Sequence, residues 1–130
     1  MRTGSIGNRD AETLINTLVE PKKSALSSLR TQLLSLGYSE EAGYDAINIE
    51  SHVLYSFSGD GRFLFKHKWE LAVLVVLHSE EERVAVIGRF PEIENKQFEK
   101  NDEDGTIWVK IDPLAESALI VRMAESFAKS

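Results

Sequence analysis

The apolar positions of this chain change period several times, and each change marks a different element. From Trp69 to Leu77 both alternating sets, Leu71/Val73/Val75/Leu77 and Ala72/Leu74/Val76, are apolar. A segment of this kind needs cover on both sides. It falls far short of the ~20 residues of a membrane-spanning helix, and its β-branched valines favour a pleated strand. The run reads as the central strand of a sheet with helices over at least one face.

Upstream of it, Leu14, Ile15, Leu18 and Val19 form a narrow helical stripe that Asn8 or Asp10 can cap. Pro21 interrupts the stripe and opens a second helix, which runs to Leu36 with leucines at 26, 29, 33 and 36 on one face. Gly37 supplies its left-handed stop. Such a stripe serves either as a dimer seam or as the underside of a helix lying on its own sheet. It is shorter than the ~3 heptads that mark a coiled coil, which favours the second use.

Tyr38 to Gly43 reads as an acidic turn. Beyond it Ile47, Ile49, Val53, Tyr55 and Phe57 keep a period of two, as one long strand or as two with a bend at Glu50-Ser51-His52. Ser58-Gly59-Asp60-Gly61 is a hairpin turn, with Asp-Gly as the source of positive φ. Arg62 to Lys68 then returns antiparallel, and a further reversal or bulge is expected around Lys66-His67-Lys68, because a strand continuing to Leu77 would be unusually long. His78 to Arg83 reads as a polar turn and Val84 to Phe90 as another strand.

Pro91 ends that strand. Glu92 to Asp104 is an acidic loop with one helical turn at most, and Gly105 to Ile111 alternates as a half-buried strand. Asp112 and Pro113 start a final helix whose Ala115, Leu119, Met123 and Phe127 recur every fourth residue. The order predicts the α+β class: an antiparallel sheet of about five strands with two N-terminal helices and one C-terminal helix. A loose N-terminus over residues 1–8 precedes a single domain over residues 9–130.

Composition narrows the chemistry more than it identifies it. With 42% hydrophobic and 28% charged residues the chain is ordinary for a globular protein. Its lack of cysteine excludes disulfides, thiolate metal sites and thiol nucleophiles, and fits a reducing compartment. The N-terminus lacks the apolar core of a secretory signal, so a soluble cytoplasmic protein without membrane association is expected. The net charge of −6 makes nucleic acid a poor partner.

The densest local cluster is Arg62-Phe63-Leu64-Phe65-Lys66-His67-Lys68-Trp69. On a regular strand Arg62, Lys66 and Lys68 share one face and the aromatic residues the other. Sheets that bind single strands of nucleic acid need cations and stacking groups together, so the separation favours an amphipathic strand with buried aromatics and a solvated basic edge, whose residual basic character leaves room for an anionic ligand or an acidic partner. Trp108 faces Thr106 and Lys110 on the more polar side of its strand, which suits either a binding contact or a site covered by helices. Tyr44 joins these as a candidate contact.

Other motifs fail on spacing. With Gly105 at the glycine position of a calcium loop, Lys100 and Ile111 fall where oxygen ligands are required. Histidines 52, 67 and 78 have no metal-ligand spacing, no phosphate-binding glycine motif occurs, and no serine sits in a nucleophile elbow. Glu94-Asn95-Lys96 has the letters of a nuclease motif but follows Pro91 in a loop. No metal, no cofactor and no catalytic residue is assigned.

The leading expectation is a non-catalytic interaction or ligand-binding domain, with a protein partner or self-association through a sheet edge or the leucine-bearing helix. The alternatives are a small hydrolase-like enzyme built on Asp45, His52, His67 and nearby carboxylates, and weak anion or nucleic-acid binding through Arg62, Lys66 and Lys68.

Overall fold

The computed structural model describes residues 15, 16, 18–45, 50–66 and 72–129, with the backbone alone at 44, 45, 50 and 51. The loose segment expected over residues 1–8 and most of the helix expected from Asp10 lie outside the described residues.

Helix α1, Lys22–Ser35, follows the leucine stripe. The Glu20 carboxylate closes its start, accepting from the Ser24 N–H at 2.9 Å and the Ser24 hydroxyl at 2.6 Å. Its end is a Schellman motif: Gly37 adopts φ +100°, its N–H reaches Leu34 O, and the Tyr38 N–H reaches Leu33 O. Leu26, Leu29 and Leu33 are fully buried in the protein's own core, so the stripe covers the sheet.

The sheet has six antiparallel strands: β1 Ser39–Asp45, β2 Glu50–Phe57, β3 Asp60–Lys66, β4 Ala72–Leu77, β5 Phe98–Lys100 and β6 Ile107–Ile111. They lie in the order β1-β2-β3-β4-β6-β5. The valine-rich run is an interior strand, as its apolarity requires, although its first residues, 69–71, fall outside the described part.

Two readings of the sequence are corrected here. Residues 39–45 are an edge strand, not an acidic turn; pairing along the whole of β2 imposes the extended form that their composition does not announce. In the next hairpin the positive φ falls on Ser58 (52°) and Gly59 (85°), so these two form the turn and Asp60-Gly61 already belongs to β3.

The larger correction concerns residues 80–89, which form helix α2, Glu80–Arg89, not a strand. The Ser79 hydroxyl accepts the Glu82 N–H at 3.0 Å, and three glutamates occupy the first turn, where the helix dipole favours negative charge. Val86 is buried while Val84 is 60% exposed, an opposition across two residues that a helix produces and a strand forbids. A 3₁₀ turn at Pro91–Ile93 leads to the short strand β5.

The acidic run after β5 closes the β5–β6 hairpin. Asn101 and Asp104 side chains accept the Glu103 and Thr106 N–H groups, and Gly105 adopts φ +76°. Helix α3 spans Ser117–Lys129, later than its expected start at Pro113. Asp112 instead caps the preceding turn through the Leu114 N–H. The described residues therefore hold three whole α-helices and six strands, against about five strands expected, and of the first of the two N-terminal helices expected only Ile15 and Asn16 are described, both helical.

All three helices contribute to one core, on one face of the sheet. Leu26, Leu29 and Leu33 of α1, Val86 of α2, and Ile120, Met123 and Phe127 of α3 join Val53, Phe63, Phe65, Val75, Val109 and their neighbours in a single cluster. Tyr38 links the layers. Its ring packs 5.2 Å from Phe57 and 5.8 Å from Phe63, and its hydroxyl donates to Ala124 O at 2.8 Å.

At the β1 edge an ion pair is built into this core. The Glu40 carboxylate, 1% exposed, accepts from Arg30 Nε at 2.6 Å, from Arg30 Nη2 at 3.1 Å and from the Tyr55 hydroxyl at 2.6 Å. Burial pushes the Tyr55 phenol up, and the adjacent Glu40 raises it further. Truncating one member of such a pair leaves a buried charge uncompensated. In urea unfolding, Glu40→Ala is expected to destabilise the protein by about 3–5 kcal/mol, and Tyr55→Phe by about 1.5–3 kcal/mol.

Candidate functional site

Strand alternation that sends Val53, Phe63, Phe65, Val73, Val75, Val109 and Ile111 into the helical core sends the residues between them to the opposite face. That second face carries His52 and Leu54 from β2, Leu64 and Lys66 from β3, Ala72, Leu74 and Val76 from β4, and Trp108 and Lys110 from β6. None of these belongs to the core cluster that holds the three helices.

Pairing register arranges them in rows. Leu54 lies opposite Leu64, Leu64 opposite Leu74, and Leu74 opposite Lys110, so three leucines and a lysine cross four strands side by side. One row along, His52 pairs with Lys66 and Lys66 with Ala72; in the other direction Val76 pairs with Trp108 and Trp108 with Glu99. Ala72 and Val76 are buried, at 2% and 4% exposure. The larger Leu54, Leu64, Leu74 and Trp108 are only half-buried.

A cleft of about 290 Å³ opens on this face. Ala72, Leu74, Leu64 and Trp108 line it together with Lys66 and Lys110, and Gln97 with the β5 residues Phe98 and Glu99 completes the lining. The Lys110 N–H donates to Gln97 O at 2.9 Å, which brings β5 against β6 beside the cleft. Phe98 also meets α2: the Arg83 guanidinium lies 4.4 Å from its ring centroid.

Of the residues proposed from sequence, the structure brings Lys66 and Trp108 together at this cleft. Lys68 and the Tyr44 side chain lie outside the described residues. Arg62 is separated from Lys66 by a β-bulge: the β2–β3 register passes from Tyr55↔Phe63 to Ser56↔Gly61, which leaves Arg62 as the extra residue.

The bulge takes Arg62 to the helical side. Its guanidinium sits 4.2 Å from the Phe127 ring centroid and donates to both Glu82 oxygens, at 2.8 and 3.1 Å. The regular alternation that grouped Arg62 with Lys66 and Lys68 therefore fails at its first member. Lys110, Leu64 and Leu74 were not singled out from sequence. The available signal was a leucine on the nominally polar parity of consecutive strands.

Of the enzyme candidates, His52 lies beside Lys66, whereas His67 and the Asp45 side chain fall outside the described residues. His78 is not part of the cleft lining, and its Nε2 lies 3.1 Å from Gly61 O. Among the described residues no group of three His, Asp or Glu side chains is placed to hold a metal ion, and no helix is long and apolar enough to cross a membrane.

Arg62 and Glu82 make an acid-sensitive link between sheet and helix. Burial disfavours the charged Glu82 carboxylate, but the bonds from Arg62 and from the His78 N–H outweigh it and hold its pKa below the ordinary 4.5. A carboxyl depressed on folding adds stability above its unfolded value and loses that contribution as pH falls through the folded one. The difference in urea midpoint between wild type and Glu82→Gln should thus be full at pH 7 and shrink progressively below pH 4.5. A gap that stays constant into acid would show that the pair does not couple to folding.

Compared with known proteins, the chain matches no family model, no curated protein and no solved structure.

Proposed function

We propose that this chain is a non-catalytic binding domain and that its binding surface is the sheet face opposite the described helices. The observation that carries the reading is the half-buried Leu54-Leu64-Leu74 row, which ends beside Lys110 at a cleft that Trp108 also lines, opposite a face to which every described helix contributes core residues. Apolar area left in water is unfavourable in the free protein, and such patches mark interaction sites. At about 290 Å³ the cleft lies at the lower end of the ~300–1,000 Å³ usual for small-molecule sites.

The reading favours a ligand over self-association through the leucine-bearing helix, because Leu26, Leu29 and Leu33 are buried in their own core. It favours binding over hydrolysis because, among the described residues, the cleft lining holds lysines and a single carboxylate, Glu99, and no histidine.

Amide chemical-shift mapping with a library of small apolar fragments tests it. Fragments that bind are expected to shift the amides of Leu64, Leu74, Trp108 and Lys110, and Leu64→Glu is expected to abolish those shifts while leaving the core amides in place. Fragments that bind only on the helical side, or none that bind at all, would refute the assignment.

A further inference from the structure

We propose that the cleft takes a small, ring-bearing monoanion, with its apolar body on Leu64, Leu74 and Trp108 and its carboxylate or sulfonate between Lys66 and Lys110. The inference rests on the binding reading above and narrows it to a ligand class.

The cleft is polarised along β4. At the Ala72 end, Lys66 stands beside Ala72 on one neighbouring strand, and Lys110 stands beside Leu74 on the other. With strands ~4.8 Å apart and ~3.3 Å per residue, their Cα atoms are on the order of 12 Å apart across β4. Two four-carbon stems can close that distance on one anionic head group. Both lysines have partners within the protein; an ammonium carries three donors, so an internal partner and an incoming anion can be served together.

At the Val76 end the character reverses. Trp108 lies beside buried Val76 and offers a flat apolar surface, which suits a ring. Glu99 stands opposite Trp108 on the outer strand and also lines the cleft. Its carboxylate opposes a second negative group at that end, which selects a monoanion over a dianion and fixes the head toward Ala72. The volume admits a small aromatic ring system and is too little for a helix or a folded partner.

Two dyes that share a ring system test the proposal on the full chain: 8-anilinonaphthalene-1-sulfonate and uncharged N-phenyl-1-naphthylamine. Both are titrated by dye emission excited directly and through tryptophan. The sulfonate should bind about tenfold or more tighter than the neutral dye, as expected for charge-assisted contacts. Lys66→Met with Lys110→Met, which keeps much of each apolar stem, should bring the sulfonate to the affinity of the neutral dye and leave the latter unchanged. Trp108→Phe should lower the energy transfer but keep direct emission. Glu99→Gln should tighten the sulfonate alone.

Equal affinities for the two dyes, both lost in Leu64→Glu, would overturn the anion assignment while upholding the binding face. Dye binding indifferent to Leu64→Glu and Trp108→Phe would overturn both. A self-associated protein that takes up the sulfonate only on dissociation would assign the face to a second copy of the chain and likewise overturn the ligand class. Unfolding midpoints of each variant, measured in parallel, separate lost binding from lost folding.

Discussion

The structure depends on an imbalance of cover at β4. Its two alternating side-chain sets, Val73/Val75/Leu77 and Ala72/Leu74/Val76, both call for burial, yet the described helices pack against the first set alone. On the second face, the small members Ala72 and Val76 are buried with neighbouring strands close by, whereas Leu74, which projects further, remains half-buried between Leu64 and Lys110. The face is thus too apolar for an ordinary solvated surface and has no helix from the described residues across it. The cleft and the argument for binding both follow from that mismatch.

Ion pairs join the helical layer to the sheet on both sides of this arrangement. Arg30 of α1 meets Glu40 of β1, and Arg62 of β3 meets Glu82 of α2. Apolar contacts are non-directional and leave a helix able to slide over a sheet, whereas a two-pronged guanidinium–carboxylate pair has one geometry. Phe127 of α3 is held in the same way, with the Arg62 guanidinium over one ring face and Phe63 5.9 Å from its centroid. These contacts explain why two arginines on the edge of the core are largely withdrawn from solvent, and therefore why Arg62 does not serve the open face.

What the sequence revealed depended on whether local pattern and tertiary context agreed. The leucine stripe of α1 and Gly37, the alternation of β3 from Phe63 onward and of β6, and the described part of the apolar β4 carry their own signals, and they formed as read. Residues 39–45 do not: Ser39-Glu40-Glu41 is polar, and only pairing with β2 and the burial of Glu40 against Arg30 make it a strand. Val84, Val86 and Phe90 fit an alternating pattern as well as a helical one, and the deciding feature was the Ser79-x-x-Glu82 cap. For the site, parity correctly put Lys66 on the face away from Phe63 and Phe65, and Trp108 with Lys110. It misplaced Arg62 because a bulge shifts the phase of every residue beyond it, and a bulge has no sequence signature strong enough to anticipate.

The composition of the open face also bears on what suits it. A helix or a second sheet packed there would require a surface apolar along its length, since a lysine in the middle of such a contact has to be desolvated. The row instead runs Leu54, Leu64, Leu74, Lys110, and the neighbouring row places Lys66 beside Ala72, so apolar and cationic groups alternate within a few ångströms in two directions. An intramolecular layer gains little from that mixture. A molecule small enough to set its own apolar and charged ends against the matching groups gains from all of it.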